Sequence, residues 1–245
     1  MSEILGRVHS VESFGSVDGP GIRYLIFLQG CAFRCQYCHN ADTWALENKE
    51  TQYMSAKELI TQAKKYKAYW GNKGGITVSG GEPLLQIDFL IELFKLAKQE
   101  GISTCIDTAG QPFSYEEPFF SKFEELMSLT DLLLVDIKHI DPSLHVKLTG
   151  QKNDNIIEMF RYLDRIHKPI WIRHVLLDGY TNDEHWLNKT REFIDTLSNV
   201  EKIDVLPYHS LGVHKWLGLG LEYPLGDLKG PSQEDLKKAI DILTK

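Results

Sequence analysis

The sequence lacks a run of apolar residues long enough to cross a membrane. No stretch of the 245 residues approaches the roughly 20 that a bilayer-spanning helix requires. The first ten residues, MSEILGRVHS, lack the basic segment and apolar run of a secretory signal. The sequence also lacks an excess of positive charge, since its net charge is −7. This argues against binding nucleic acid through a basic surface. We therefore expect a cytoplasmic protein that has neither a membrane nor a nucleic acid as its partner.

Cysteine is scarce and unevenly distributed. Three of the four cysteines, Cys31, Cys35 and Cys38, lie within eight positions, whereas Cys105 stands alone in a β-type run. In a reducing compartment such a set does not indicate a disulfide framework. We interpret the three as metal ligands or catalytic thiols, and Cys105 as a small buried core residue.

Low-complexity segments and Pro/Gly-rich linkers are absent, so the sequence offers no domain boundary. Short runs of branched and aromatic residues alternate with amphipathic helical patterns instead. The predicted strands are 22–29, 75–79, 103–107, 132–137, 170–177 and 202–206. The predicted helices are 55–69, 86–100, 115–128, 153–167, 183–197 and 232–243, the first of them opened by a capping box of Ser55 and Glu58.

Six β/α repeats in succession predict an α/β fold in which helices cover a parallel sheet. Six units are too few for the complete eight-fold barrel, so a partial barrel and an open doubly wound sheet both fit the pattern. Residues 6–15 precede the first repeat and could add an antiparallel hairpin.

Polar residues follow or end five of the six predicted strands, and in the fifth strand, 170–177, they lie within it. In strand order they are Cys31; Ser79 to Glu82; Asp107 and Thr108; Asp136 and Lys138; Arg173 and His174; and Tyr208 and His209. The carboxyl ends of the strands in a parallel β/α fold open onto one face, which carries the functional site. The pattern therefore predicts one site built from six separate segments.

The three clustered cysteines have the spacing CxxxCxxC, which allows one loop to surround one metal centre. Thiolates favour iron–sulfur clusters and zinc. Three thiolates leave one iron of a [4Fe–4S] cluster without a protein ligand, and that iron could bind a small molecule. A structural zinc site would need His39 as fourth ligand, but His39 is adjacent to Cys38 and reaches the same ion poorly. A redox pair of Cys35 and Cys38 would leave Cys31 unexplained, so the spacing favours the cluster.

The cysteine segment 31–38, with Tyr37 inside it, resembles the CxxxCxΦC signature of the radical S-adenosylmethionine enzymes. Residues 80–83, GGEP, are similar to a second motif of that superfamily. Further segments resemble the activases of glycyl radical enzymes within the superfamily: VDGPGIR at 17–23, CHN at 38–40, DTW at 42–44, DIK at 136–138, WIR at 171–173 and LPYH at 206–209. The resemblance runs from about residue 6 to the C-terminal helix.

This resemblance implies a partial (β/α)6 TIM-type barrel with an N-terminal extension. It implies a single domain over 1–245, with its core at about 17–210 and a C-terminal helix at 232–244. It also implies a radical oxidoreductase, in which the open iron binds the amino and carboxylate groups of S-adenosylmethionine. One electron from the reduced cluster cleaves the sulfonium to methionine and a 5′-deoxyadenosyl radical, which takes a hydrogen atom from a glycine Cα of the partner.

The resemblance also assigns site residues. Those implied for the methionine part are Gly80, Gly81, Glu82, Asp136, Ile137 and Lys138, and those for the adenosyl part are Tyr37, Cys38, His39 and His209. Arg173 would pair with the cofactor carboxylate or with Asp136, since a buried arginine needs an anion. Asp18 would lie near the incoming glycine, unless it serves only the geometry of its turn.

A monovalent cation is implied at four oxygen donors, which suit a hard cation. They are Asp107, Thr108, the Leu134 carbonyl and Asp136. The alternative is that the two aspartates only make hydrogen bonds at strand ends.

The absence of a cysteine-containing insert indicates which enzyme is the partner. Most relatives that act on other glycyl radical enzymes carry a ferredoxin-like insert with extra cysteines, whereas residues 41–52 contain none. This favours pyruvate formate-lyase as partner, with its glycine loop as substrate, in anaerobic glucose metabolism. We expect a monomer that receives electrons from reduced flavodoxin or ferredoxin. The alternatives are an activase of a different glycyl radical enzyme and a zinc-stabilised β/α binding protein without catalysis.

Overall fold

A computed structural model describes residues 3–245, and these residues contain one sheet of eight strands. The strands are β1 (Leu5–Gly15), β2 (Arg23–Leu28), β3 (Gln52–Ser55), β4 (Gly75–Gly80), β5 (Ser103–Thr108), β6 (Leu132–Asp136), β7 (Ile170–Leu176) and β8 (Val200–Pro207). Their order across the sheet is β3-β1-β2-β4-β5-β6-β7-β8. Six of these strands run parallel to one another, namely β2, β4, β5, β6, β7 and β8. Within the described residues β3 and β8 remain unpaired edges, so the sheet is an open, partial barrel, which confirms the predicted fold class.

The antiparallel pairing predicted for residues 6–15 is present, but not as a separate hairpin. Strand β1 is continuous and pairs antiparallel with both β2 and β3. No glycine or proline interrupts the chain between Gly6 and Gly15, so it turns only in the glycine-rich segment that follows. Strand β3, which sequence analysis missed, has only four residues and thus too little pattern to be seen.

Eight α-helices connect or flank the strands within residues 3–245. They are α1 (Ala56–Lys64), α2 (Ile87–Gln99), α3 (Phe119–Leu129), α4 (Pro142–Thr149), α5 (Asp154–Arg165), α6 (Glu184–Ile194), α7 (Val213–Gly218) and α8 (Gln233–Leu243). All six predicted helices are confirmed, whereas α4 and α7 were missed. Helix α4 did carry a start signal, because Asp141 caps it and Pro142 occupies its first turn. No helix in the described part of the chain is both long and apolar enough to cross a bilayer.

The two faces of the sheet have different chemistry. On the convex face, side chains such as Ile106 and Val135 are fully buried against the helices and form the main core. On the concave face, Cys105, Leu134 and Trp171 form a small apolar cluster near the amino ends of the strands. The next concave positions towards the carboxyl ends are polar, because side chains on a strand alternate with a period of two. The concave face is therefore apolar towards the amino ends of the strands and polar towards their carboxyl ends, where the candidate site lies.

The capping box predicted at the start of α1 is present and offers a test of the fold. The Ser55 hydroxyl accepts a hydrogen bond from the Glu58 amide, and the Ser55 amide donates to the Glu58 carboxylate at 2.8 Å. Ser55→Ala should lower the free energy of unfolding by about 1 kcal/mol, measured by urea denaturation. The control Ser128→Ala, at an exposed position in α3, should leave it almost unchanged. Equal losses in both variants would contradict a capping role for Ser55.

Candidate active site

The carboxyl ends of the parallel strands surround a cavity of about 460 Å³. The structure brings most of the predicted site residues to its wall: Asp18, Cys31, Cys35, Tyr37, Cys38, His39, Gly80, Gly81, Asp107, Thr108, Asp136, Lys138, Arg173 and His209. Three others do not line the cavity, since Glu82, Leu134 and Ile137 are buried beside it. Ser79, placed by its strand end, also lines the cavity, whereas sequence analysis gave no role to nine further wall residues: Val17, Phe33, Asn40, Thr43, Trp44, Ala109, Val175, Leu206 and Pro207. Six of them lie inside the segments that resemble the activases, which was the available signal: Val17, Asn40, Thr43, Trp44, Leu206 and Pro207.

The cysteine loop is held from outside by backbone hydrogen bonds. The Cys31 amide donates to the Trp44 carbonyl at 3.2 Å, and the Arg34 amide donates to the Thr149 carbonyl at 2.7 Å. The Trp216 indole nitrogen donates to the Cys38 carbonyl at 2.8 Å. Three surrounding segments therefore fix the loop so that all three free thiols face one cavity.

The thiols fit a multi-iron centre better than a single ion. Burial raises the pKa of Cys31 and of Cys35 to about 12, so ionisation of these thiols needs a metal centre to compensate. Within residues 3–245, no group of three or more His, Cys, Asp or Glu side chains is placed to surround one metal ion. His39, the fourth ligand in the zinc alternative, instead stacks on His209 with ring centroids 4.1 Å apart. A soft donor set of three thiolates spread around a cavity suits an iron–sulfur cluster.

The two glycines of the GGEP motif allow backbone segments to pack directly on one another. Gly80 has a φ of 119°, and a Cβ there would lie 2.2 Å from the Leu28 amide nitrogen. A Cβ at Gly81 would lie 2.2 Å from the Gly30 carbonyl oxygen. Both glycines line the cavity, so the end of β4 lies against β2 and the cysteine loop without a side chain between them.

The carboxylate of Glu82 is engaged by the protein itself. It accepts hydrogen bonds from the Leu84 amide at 3.0 Å, the Thr108 hydroxyl at 2.6 Å and the Ala109 amide at 3.0 Å. The residue is 1% exposed, and burial raises the pKa of its carboxyl to about 7 against these three hydrogen bonds. The side chain therefore ties the GGEP turn to the end of β5.

A layer of paired charges forms the floor of the cavity. Arg173 contacts Asp107 and Asp18, each at 3.0 Å, while Lys138 contacts Asp136 at 2.8 Å. The structure thus pairs Arg173 with Asp107 and Asp18, and Lys138 with Asp136. Burial alone would lower the pKa of Arg173 and of Lys138, but the neighbouring carboxylates outweigh it and raise both.

Two buried polar atoms of wall residues lack a hydrogen-bond partner in the part of the chain described. They are the Tyr37 hydroxyl and the Nε of Arg173. Buried polar atoms are normally paired, so their presence suits a cavity that receives a polar ligand.

The turn that carries Asp18 is held by Thr77 as well as by Arg173. The Thr77 hydroxyl donates to the Asp18 carbonyl at 2.7 Å, and the Nε of Arg23 donates to the Thr77 hydroxyl at 3.0 Å. Sequence analysis gave Arg23 and Thr77 no role. The available signal was an arginine within an otherwise apolar strand, and Arg23 is fully buried.

Comparisons with known proteins agree with this geometry. Residues 25–189 match the model of the Radical SAM superfamily. The chain is 51% identical over 244 residues to the pyruvate formate-lyase-activating enzyme of Listeria monocytogenes, covering 99% of this chain and 98% of that protein. A solved domain of the pyruvate-formate lyase-activating enzyme of Bacteroides vulgatus is 30% identical and superposes with a TM-score of 0.56, covering 70% of this chain and 93% of that one. Streptococcus suis SuiB bound to precursor peptide SuiA superposes with a TM-score of 0.66 at 17% identity over 96% of this chain and 47% of SuiB, a likeness of fold alone.

The buried pairing of Arg173 predicts a large loss of stability when it is removed. Its side chain is 12% exposed and that of Asp107 is 14% exposed, so Arg173→Leu leaves a buried carboxylate without its cation. The free energy of unfolding should fall by about 3 kcal/mol, measured by urea denaturation of the anaerobically purified protein. The exposed pair of Lys64 and Glu100 is the control, and Lys64→Ala should change stability little. Similar small changes in both variants would contradict a buried ion pair.

The raised pKa of Glu82 predicts a pH-dependent stability. Its pKa is about 7 in the folded chain against an ordinary 4.5, so between these values the folded state binds more protons than the unfolded state. Stability from this group therefore falls as pH rises from about 4.5 to about 7, by an amount on the order of 2 kcal/mol. In Glu82→Gln the fall in free energy of unfolding should be smaller, and the exposed Glu12→Gln should keep the wild-type slope. Parallel curves for Glu82→Gln and wild type would show that Glu82 is not the titrating group.

Proposed function

We propose the function of this chain from one premise: it belongs to the radical SAM superfamily and, within it, to the pyruvate formate-lyase-activating enzymes. It activates pyruvate formate-lyase by generating a glycyl radical on it. The observation that carries this function is the 51% identity over almost the whole chain, together with three free thiols on one cavity. The radical SAM family implies a [4Fe–4S] cluster and S-adenosylmethionine, and the donor set of the cysteine loop fits the cluster.

Cys31, Cys35 and Cys38 would hold the cluster through their thiolates. The bound cluster supplies the electron that cleaves S-adenosylmethionine to methionine and a 5′-deoxyadenosyl radical, and this radical takes a hydrogen atom from a glycine Cα of the partner. Cys35 is buried and Cys31 and Cys38 are partly buried, so the protein would limit the access of water to this chemistry.

The remaining wall residues would orient the cofactor. Gly80 and Gly81 expose backbone to the methionine part, and the Lys138 ammonium would lie beside its carboxylate. His39 and His209 stack on each other at the cavity, which supports their assignment to one side of the adenosyl group. The Glu82 carboxylate is occupied by protein donors, so its contribution would be to position the turn and Thr108.

The remaining assignments concern a cation, the electron donor and the cellular context. A monovalent cation at Asp107, Thr108, Leu134 and Asp136 would compete with Arg173 and Lys138, which already pair with both carboxylates. From the family we propose reduced flavodoxin or ferredoxin as electron donor, a monomeric state, a cytoplasmic location and a place in anaerobic glucose metabolism.

The decisive experiment measures metal content, cofactor cleavage and partner activation on the same preparation of the protein. Anaerobically purified protein should be brown and contain about four irons per chain. With dithionite, S-adenosylmethionine and pyruvate formate-lyase it should release 5′-deoxyadenosine and give the EPR signal of a glycyl radical on the partner.

Cys35→Ser is the control, because it removes one thiolate and should abolish iron binding, cleavage and the EPR signal together. Colourless protein with one zinc would overturn the cluster. A radical formed on another glycyl radical enzyme, but not on pyruvate formate-lyase, would overturn the partner.

A further inference from the structure

Five exposed leucines lie at the end of strand β8 and in the segment that follows it. We call Leu206, Leu211, Leu217, Leu219 and Leu221 the leucine ridge, and their exposed fractions are 37%, 75%, 64%, 47% and 40%. Single exposed apolar residues are common on protein surfaces, whereas an apolar surface made of several suits an interaction site. Lys215 is the only Lys, Arg, Asp or Glu in residues 206–221.

The leucines are exposed on an anchored segment. Between them, Trp216 is 6% exposed and packs against Tyr223 with ring centroids 5.4 Å apart. Lys215 reaches the side chain of Asn40 at 2.8 Å and that of Asp42 at 3.0 Å. Because these inward residues fix α7 and the turn after it, the neighbouring leucines are held towards solvent.

The ridge begins at the entrance of the active-site cavity. Leu206 and Pro207 line the cavity directly, and so does Val17, which is 71% exposed. A folded protein whose glycine reaches this cavity must rest on the residues around the entrance. At Leu206 the ridge therefore meets the surface that a protein substrate has to touch.

We propose that the leucine ridge is the docking surface for the folded partner enzyme and contacts an apolar patch beside its glycine-bearing segment. This proposal rests on the proposed function, in which the substrate is a protein. Lys215 is already paired with Asn40 and Asp42, so the contact is apolar and depends weakly on salt. A short glycine peptide enters the cavity without covering Leu211 and Leu217, whereas the folded partner covers both.

The test compares a peptide with the folded partner, using dithionite so that no donor protein takes part. The variant is Leu211→Ser with Leu217→Ser. It should keep 5′-deoxyadenosine release with a glycine-loop peptide within about twofold of wild type. It should lower kcat/KM for radical formation on folded pyruvate formate-lyase at least about tenfold, as expected when two central apolar contacts are lost. The matched control is Ile166→Ser, 38% exposed and located before β7 at the opposite end of the sheet, and both rates should stay at wild-type values.

Each contrary result overturns the assignment in a distinct way. Equal losses with peptide and partner would mean that the two leucines shape the cavity instead of docking the partner. No loss with either substrate would mean that the ridge is not used. A wild-type dimer that becomes monomeric in the double variant, with an unchanged rate on the partner, would assign the ridge to a second copy of this chain. Wild-type protein that cleaves the cofactor with neither substrate would overturn the proposed function, and the role of the ridge with it.

Discussion

The geometry of this site depends on one buried guanidinium. A charge in the interior is stable only when it is paired, and Arg173 is paired with aspartates on two other segments. One of these, Asp107, ends β5, and the other, Asp18, lies in the turn before β2. Because a single side chain satisfies both carboxylates, the end of β5 and the turn before β2 keep a fixed separation at the floor of the cavity. The open sheet has no barrel closure to do this.

The wall formed by the GGEP turn and the cysteine loop is held by close backbone packing and hydrogen bonds, without an ion pair among the residues that the structure describes. Gly80 and Gly81 leave no room for a side chain against β2 and the cysteine loop, and Glu82 ties the same turn to the end of β5. The cysteine loop is bonded to three neighbouring segments through its backbone. The wall that carries the thiols is therefore positioned by the protein, and a preformed site lowers the entropy lost when a cofactor binds.

Sequence reasoning succeeded where a local pattern determines the structure. The six parallel strands and their helices follow from hydrophobic periodicity, and the helix start after Ser55 follows from its cap. The carboxyl-end rule placed Asp107, Asp136 and His209 around one cavity. Periodicity could not detect β3 or α7, because four and six residues contain too few repeats.

Tertiary partners explain what the sequence could not show. The donors that occupy Glu82 come from residues 84, 108 and 109, and the partner of Arg23 is Thr77, far away in the chain. Nothing local to Glu82 distinguishes a carboxylate that binds a ligand from one that joins two loops. The leucines of the ridge likewise look like core residues in the sequence, and only the structure shows that they face solvent while Trp216 beside them is buried.

One hydrogen bond gives the ridge a thermodynamic connection to the chemistry. Trp216 lies between the leucines and donates to the carbonyl of Cys38, which carries one of the clustered thiols. A docked protein that shifts α7 would therefore also shift the backbone of the cysteine loop, through this hydrogen bond. Binding free energies are reciprocal, so whatever factor the occupied cavity contributes to affinity at the ridge, the occupied ridge returns to affinity in the cavity. In an activator built in this way, the affinity for the cofactor and the affinity for the protein to be activated are linked through one backbone contact.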